Sequence, residues 1–546
     1  MKEIDQEDRN WPFVTHATNS VVRSMNPAQL RTVSGDEARN LLYAQISKHN
    51  GGLLSTLAVY DASETVRVWH DTIRAIEEFI NVPFFGLDDD ALTAWLMAVP
   101  LDGRFLRNPT SIANVGAALR PHLDGGTVER FCRLMLQIAA IGSGFRMNGQ
   151  SDFGSGITLD TVGNAVTYLQ SRRRHFVSLL YMMPLACKGS ARLAPLDALN
   201  VMLPQVEHSC VTLTSLHLKL MLLDSLPEFS LQCDERGAMA SHWLETLDPW
   251  FADPERASIV VMNELRGDEI AVPDSEPVDP KKIFSAAELR NSTKLLGATY
   301  DAFGLNDSDF QTMAAVISNL SHRCRDDYVV AIGKTKLRAL LRKQANPDPE
   351  AMERLLVNRP SSDYAVNTNS FEPFVDVGDA VVSNVNLLSR FLYAFKNVHL
   401  GSRRRFQIHA GFIFEEMVAR ELTRLGFDVT DIKRINRKEF DVVATSDGVI
   451  YNFQCKNNAV DLSKVESDRE LFVRYNRRLV GYYLRAIAKE ERREHLLKEK
   501  LGLDAVRHFV ISRFPVVTTE DRIVCYNRIE TLASLIGRPD RPRRPS

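Results

Sequence analysis

The sequence predicts a multidomain chain: a long, mostly α-helical N-terminal region followed by a shorter α/β segment. Three observations carry this. Apolar residues recur at helical spacing through most of residues 1–400, with little strand-like alternation. Between Ile408 and Lys456 the pattern switches to one helix, one strand and two short apolar runs around Asp447-Gly448. Charge also changes sign along the chain: residues 401–546 hold 29 Lys and Arg against 21 Asp and Glu, which leaves 38 against 48 of the totals of 67 and 69 for residues 1–400.

In the N-terminal region, helical periodicity is clearest at Ala38–Ile46, Val66–Ile80, Ala91–Val99, Val128–Ile141, Phe176–Met183 and Leu213–Leu223. No fixed-period repeat is found, so a helical solenoid or bundle spans 1–265. The acid- and Pro-rich stretch 266–284 reads as a linker. A second mostly helical region covers 285–400, with a polar break at Ala345–Ser370 and a small hairpin at 371–384 around Val377-Gly378-Asp379. The α/β segment is 401–536, and the basic, Pro-rich 537–546 reads as a disordered tail.

Several motifs in the first 400 residues carry no chemistry. Gly333-Lys334-Thr335 lacks the upstream glycine of a phosphate loop, where Tyr328 stands instead. Gly142–Gly156 follows a helix and reads as a mobile loop. Asp88-Asp89-Asp90 reads as a helix cap, His208 and Cys210 as ordinary residues without a second ligand pair, and Arg172-Arg173-Arg174-His175 as a solvated helix face.

In the C-terminal segment, apolar side chains at Phe414, Met417, Val418, Leu422 and Leu425 define a helix that ends at Gly426, where a left-handed C-cap belongs. Glu415 lies beside the buried stripe and is the candidate site acid, whereas Glu416 lies over Arg420 on the solvent side. A strand follows near Phe427–Ile435. Asp447-Gly448 is a two-residue hairpin turn, so Ser446 pairs with Val449, and counting back places Asp441 opposite Gln454. The strand period of two then points Asn452, Gln454 and Lys456 to one face and Tyr451, Phe453 and Cys455 to the other.

An acid, a neutral oxygen and an ammonium at one place suit phosphodiester hydrolysis with a divalent ion held by hard oxygen ligands. Asp441 would ligate through its carboxylate, Gln454 through its amide oxygen, and Cys455 through its backbone carbonyl. Glu415 would be the second acid, and Lys456 would face charge developing on phosphate.

The order Phe414-Glu415, Leu425-Gly426-Phe427, Asp441, then Gln454-Cys455-Lys456 resembles the PD-(D/E)XK nuclease superfamily, closest to the Mrr-like restriction endonucleases whose last motif is Gln-x-Lys. The resemblance covers about a quarter of the chain. It implies a restriction-endonuclease-like domain with a mixed four-stranded sheet between helices, Mg2+ (Mn2+ as a substitute) as cofactor, DNA as substrate, and Glu415, Asp441, Gln454 and Lys456 as catalytic residues. The Gly-Gly pair often found just before the Asp is here Lys438-Glu439-Phe440, and a long insertion follows the Lys, suggesting an accessory DNA-contacting arm.

Arg403-Arg404-Arg405 stands before the first nuclease helix, and Arg474, Arg477 and Arg478 interleave with Tyr475, Tyr482 and Tyr483. These are the candidate nucleic-acid contacts, the alternative being a helix that buries Tyr and leaves Arg in solvent. A charged helix at Lys489–Lys500 and a strand at Arg507–Arg513 follow. No run of eighteen apolar residues occurs, the acidic N-terminus is no signal peptide, and the seven cysteines form no CxxC. A cytoplasmic protein without membrane contact is expected.

The expected function is a Mg-dependent DNA endonuclease, its helical region serving recognition or regulation, in an arrangement that fits restriction or phage defence. A homodimer would supply the two active sites of double-strand cutting. The alternatives are a catalytically silent nuclease fold that binds nucleic acid, an RNA-directed nuclease, and an interaction scaffold.

Overall fold

A computed structural model describes residues 31–147, 159–234, 237–239, 274–302, 308–344, 348–368, 370–401, 403–457 and 468–536. The first part of the expected linker, 266–273, and the expected disordered tail, 537–546, lie outside the described residues.

The N-terminal region follows its sequence pattern. β1 (Arg31–Ser34) leads into α1 (Gly35–Leu57), α2 (Ala62–Phe85), α3 (Asp90–Ala98), α4 (Gly103–Arg107), α5 (Pro109–Leu119), α6 (Gly125–Met147), α7 (Val162–Ala186), α8 (Ala198–Gln205) and α9 (Val211–Ser225), with a π-helical turn, Val206–Cys210, between the last two. β2 (Ser230–Asp234) pairs antiparallel with β1 and with β3 (Gly237–Met239). Each helix read from periodicity lies within or at the edge of one of these elements, and Asp89 caps α3 by accepting from the backbone N–H groups of Ala91 and Leu92.

Two expectations here need correcting. Of the expected loop at Gly142–Gly156, residues 142–147 continue α6, and 148–156 lie outside the described residues. Arg172, Arg174 and His175 are not solvated but buried, because α7 packs against neighbours on nearly every side. Each of these side chains meets a partner distant in sequence. Arg172 Nε donates to Glu207 at 2.8 Å, Arg173 pairs with Glu77, Arg174 donates to the Thr368 carbonyl, and His175 meets the Tyr364 hydroxyl. Such pairing is what makes buried charge tolerable.

The second region comprises α10 (Ala286–Ala302), α11 (Ser308–Ser321), β4 (Val329–Gly333), α12 (Lys334–Gln344), α13 (Pro349–Leu356), α14 (Tyr364–Thr368), β5 (Val375–Val377), β6 (Ala380–Asn384) and α15 (Val385–Gly401). The expected hairpin is present, turning at Gly378 with φ +76, and β4 joins it in the order β4-β6-β5. The polar break contains two short helices, α13 and α14. Gly333-Lys334-Thr335 is a plain strand-to-helix junction whose Lys334 pairs with Asp376 at 2.7 Å.

The C-terminal elements are α16 (Arg404–Leu425), β7 (Asp428–Val429), β8 (Arg434–Ile435), β9 (Lys438–Glu439), β10 (Val442–Ser446), β11 (Val449–Lys456), α17 (Arg469–Glu491), α18 (Glu494–Leu501), β12 (Ala505–Ser512), β13 (Ile523–Cys525) and a 3-10 stretch, Tyr526–Ile536. Gly426 has φ 96 and closes α16 as expected, its N–H donating to Leu422 and Thr423. Asp447 and Gly448 both have positive φ, 50 and 75, and the hairpin register is the expected one, Ser446↔Val449 through Val442↔Phe453.

The sheet is mixed but has five strands, not four, in the order β13-β12-β11-β10-β7. The additional strand is β13, three residues too short to show alternation, held parallel to β12. The strand expected at Phe427–Ile435 shrinks to two residues of β7, because β8 leaves the sheet to form its own hairpin with β9. The segment after Lys456 is no separate arm in its described part: α17 and α18 form the crossover that the parallel pairing of β11 and β12 requires.

Helices cover both sheet faces. Phe414, Val418 and Leu422 of α16 pack on Val442, Ala444, Tyr451, Phe453, Phe509 and Ile511. Opposite them, Leu479, Tyr483 and Ile487 of α17 pack on Val510 and Ile523, and Leu497 of α18 on Phe440, Val443 and Ile450. α16 is shared between cores, since Phe406 and Ala410 belong to the core of the second region. α17 is shared too: Phe472, with Phe514 and Val517 beyond β12, enters the core of the N-terminal helices, and Arg469 pairs with Asp224 at 2.6 Å.

Phe453 is fully buried among Phe427, Tyr451 and Phe509. Phe453→Ala is expected to destabilise this core by about 3–5 kcal/mol, read as a lower urea midpoint by far-ultraviolet circular dichroism.

Candidate functional site

The hairpin ladder stops at Val442↔Phe453, and the candidate residues gather at this open end. Asp441 stands one residue before β10 and, instead of continuing the ladder, its Oδ2 accepts the backbone N–H of Cys455 at 2.8 Å. That hydrogen bond clamps Asp441 to the C-terminal end of β11. It is the Cys455 amide, rather than the carbonyl expected as a ligand, that links Cys455 to the acid.

Glu415 reaches the same place from α16. Its neighbour Phe414 is buried in the core under the sheet, which fixes the rotation of the helix and leaves the Glu415 carboxyl at the rim, 21% exposed. Glu416, one residue on, is exposed. Lys433, a residue sequence reasoning did not select, connects the two acids: its Nζ lies 3.6 Å from Glu415 Oε2 and donates to the Asp441 carbonyl at 2.8 Å. It sits between β7 and β8, where a single lysine in a loop gives no periodic signal.

Gln454 and Lys456 project from β11 toward the α17 side, and Lys456 Nζ donates to Gln454 Oε1 at 3.1 Å. The amide oxygen expected as a ligand therefore holds the ammonium in place. Gln454 is buried, with its Nε2 lacking a hydrogen-bond partner. Arg513, buried directly after β12, donates its backbone N–H to the Lys456 carbonyl at 3.0 Å and its Nη1 to Asn457 Oδ1 at 3.2 Å. It also lies over the Phe414 ring, so a second cation that the sequence reading passed over adjoins the site.

Electrostatics ties these groups together. Burial, and after it the neighbouring Asp441 carboxylate, pushes Glu415 up to about 7, with Lys433 and Lys456 acting against the rise. Burial also raises Asp441, opposed by the Lys456 ammonium and the Cys455 N–H. The Cys455 thiol is held far above its ordinary range by burial and by both carboxylates, so it stays protonated and is no nucleophile. Two partly buried acids, each raised first by burial and one of them, Glu415, also by its neighbour Asp441, form a place where added positive charge is favoured.

The expected nucleic-acid contacts fall into two groups. Arg403, Arg404 and Arg405 are exposed at the start of α16, nearly three turns before Glu415. Arg474, Arg477 and Arg478 are exposed on α17, while Tyr483 is buried and Tyr475 half-buried, so this helix covers one tyrosine fully and one in part and leaves arginine and Tyr482 outside. A cavity of about 560 Å³ lies elsewhere, between α2, α10 and α15, with Glu77, Arg173, Glu288, Lys294 and Arg390 in its wall. Among the described residues no group of three or more His, Cys, Asp and Glu side chains stands close enough to hold a metal ion, and no helix is long and apolar enough to cross a membrane. Comparison with protein-family models, curated proteins and solved structures found no match.

The Glu415 shift has a signed consequence for stability. Its folded-state value of about 7 stands above the ordinary 4.5, so the folded chain holds this proton more tightly, and stability is lost as pH rises between those values. Glu415→Gln removes that loss. Its urea midpoint should match the parent's near pH 5 and exceed it at pH 8, by about 1–2 kcal/mol once the shift is discounted for the solvent that still reaches the carboxyl. Equal midpoints at pH 8 would show that the folded chain does not raise Glu415.

Proposed function

We propose that the chain is a Mg2+-dependent endonuclease of the PD-(D/E)XK type that hydrolyses DNA phosphodiester bonds, with Mn2+ able to substitute. The observation that carries this reading is the meeting of an acid from a helix, an acid clamped at the open end of a hairpin, and a lysine at the end of the paired strand. The donor set suits a divalent ion: two carboxyls raised by burial, Glu415 also by Asp441, are relieved by a cation between them, and both offer hard oxygen.

Glu415 and Asp441 would hold the ion. When bound, it would polarise the phosphoryl group and lower the pKa of water. The other roles belong to the chain. Lys456, steadied by Gln454, neutralises charge gathering on phosphate oxygens. Lys433, already spanning both acids, offers a further ammonium to the backbone on the solvent side. Arg403, Arg404, Arg405, Arg474, Arg477 and Arg478 bind flanking phosphates and contribute salt-sensitive affinity without sequence readout. A homodimer would bring two such sites to the two strands, and the helical region would serve target recognition or regulation, as in restriction or phage defence. The seven free thiols fit a cytosolic setting.

A second reading, a nuclease fold that binds nucleic acid without cutting it, is favoured by one observation. Among the described residues two carboxylates meet here, and a lysine already pairs with that of Glu415 while donating to the Asp441 backbone carbonyl; a two-carboxylate site is weak at retaining metal.

Plasmid DNA incubated with Mg2+ separates the two readings. Nicked and linear product is expected from the parent, with a loss of at least about a hundredfold in Asp441→Ala and Lys456→Ala. Salt-sensitive binding without product supports the silent fold, and cleavage confined to single-stranded RNA in a parallel incubation makes RNA the substrate. For the parent's DNA affinity, replacing Arg474, Arg477 and Arg478 together by Ala should reduce the slope of log K against log salt by about 2–3.

A further inference from the structure

The residues just before Asp441 are Lys438-Glu439-Phe440, bulky where a flexible Gly-Gly pair would let the backbone adapt. The path into Asp441 must therefore be set by something outside the hairpin. The structure shows what touches it. Arg493, between α17 and α18, donates an Nη2 hydrogen bond to the Glu439 carbonyl at 2.8 Å, and its guanidinium lies 4.6 Å from the centre of the Phe440 ring. Both residues immediately before the acid are thus held by one side chain.

Arg493 is itself held. Its Nε donates to Glu490 Oε2 at 2.8 Å, and a second N–H reaches Glu490 Oε1, a two-pronged pair. Glu490 is 1% exposed, a carboxylate buried at the end of α17, where leaving it unpaired would be costly. From the other side Asn452, fully buried at the centre of β11, donates Nδ2 to Glu490 Oε2 at 3.0 Å and lies 3.2 Å from His508 Nδ1 on β12. His508 Nε2 in turn lies 3.5 Å from Glu494 of α18. A polar bracket therefore runs from the middle of the sheet, through Glu490 and Arg493, to the backbone leading into Asp441.

We infer that Arg493 and Glu490 are positioning residues for Asp441, replacing by a buried ion pair the backbone adaptability that a glycine pair would provide. The inference rests on the proposed nuclease reading only for its catalytic consequence, because the geometry it concerns is that of residues 438–442. Arg493 touches the backbone before Asp441, not the carboxylate, so its effect passes through the placement of that acid. Partners of this kind at a metal ligand typically contribute ten- to a hundredfold in activity or metal affinity.

The test uses the full chain, with Arg493→Ala, Arg493→Lys and Glu490→Gln, and the exposed neighbour Arg492→Ala as control. Hydrogen–deuterium exchange by mass spectrometry reads the geometry without activity. Peptides covering 438–446 and 450–457 should exchange faster in Arg493→Ala, as the Cys455 N–H loses its partner, while peptides from α16 remain protected. Cleavage of plasmid DNA then reads the consequence: kcat falls about tenfold or more, the half-maximal Mg2+ concentration rises, KM for DNA stays unchanged, and Arg492→Ala behaves as the parent. Arg493→Lys keeps a cation near Glu490 but cannot pair with it two-pronged while also reaching Glu439 and covering the ring, so it should not restore kcat. Where Arg493→Ala fails to fold, Arg493→Lys carries the same comparison. Unchanged exchange at 438–446 in the folded variants overturns the inference, as does parental kcat and Mg2+ dependence in Arg493→Ala. Faster exchange with a parent that cuts nothing upholds the positioning and removes the nuclease reading alone.

Discussion

Glu415 and Asp441 sit side by side against their own repulsion, and much of the C-terminal fold is arranged to hold them there. Neither is free to move away. Glu415 is fixed by the burial of Phe414 in the next position of α16, and Asp441 by the Cys455 amide, Lys433 and the backbone grip of Arg493. Burial raises both carboxyls, and the Asp441 carboxylate raises Glu415 further. The energy of keeping them close comes from packing elsewhere, chiefly the aromatic layer of Phe427, Tyr451, Phe453 and Phe509 between α16 and the sheet.

The two helices that frame the site are also those that join the cores. α16 contributes Phe406 and Ala410 to one core and Phe414, Val418 and Leu422 to the next. α17 inserts Phe472 into the N-terminal helical core at one end and places Glu490 beneath the central strand at the other. A helix is stiff over this length, so rotation or sliding at one core is felt at the other. The N-terminal helices thus lie in mechanical continuity with the candidate site, although among the described residues none of their side chains contributes to it.

Two buried ion pairs recur in the molecule. Arg172 with Glu207 in the helical region and Arg493 with Glu490 in the sheet domain are both two-pronged and nearly solvent-free. Each connects elements in a fixed rotational setting, something an apolar contact of equal area does less sharply. The surface arginines of α16 and α17 contrast with these in lying exposed.

What the sequence alone determined was local. The turn at Asp447-Gly448, the register it imposes, the end of α16 at Gly426 and the helices of the first 400 residues follow from positive φ at three residues, a period of two and a period of 3.6, all readable within a few residues. From these, Glu415, Asp441, Gln454 and Lys456 could be named. Tertiary structure decided what depends on distant partners: that Arg172, Arg174 and His175 are buried, that a three-residue strand makes the sheet five-stranded, that Gln454 turns its oxygen to Lys456, and that Lys433, Arg493 and Arg513 adjoin the acids. These residues carry no periodic or motif signal, because each acquires its role from a neighbour brought beside it by the packing of α16, α17 and the strand ends, and contacts of that kind leave no pattern in the order of residues along the chain.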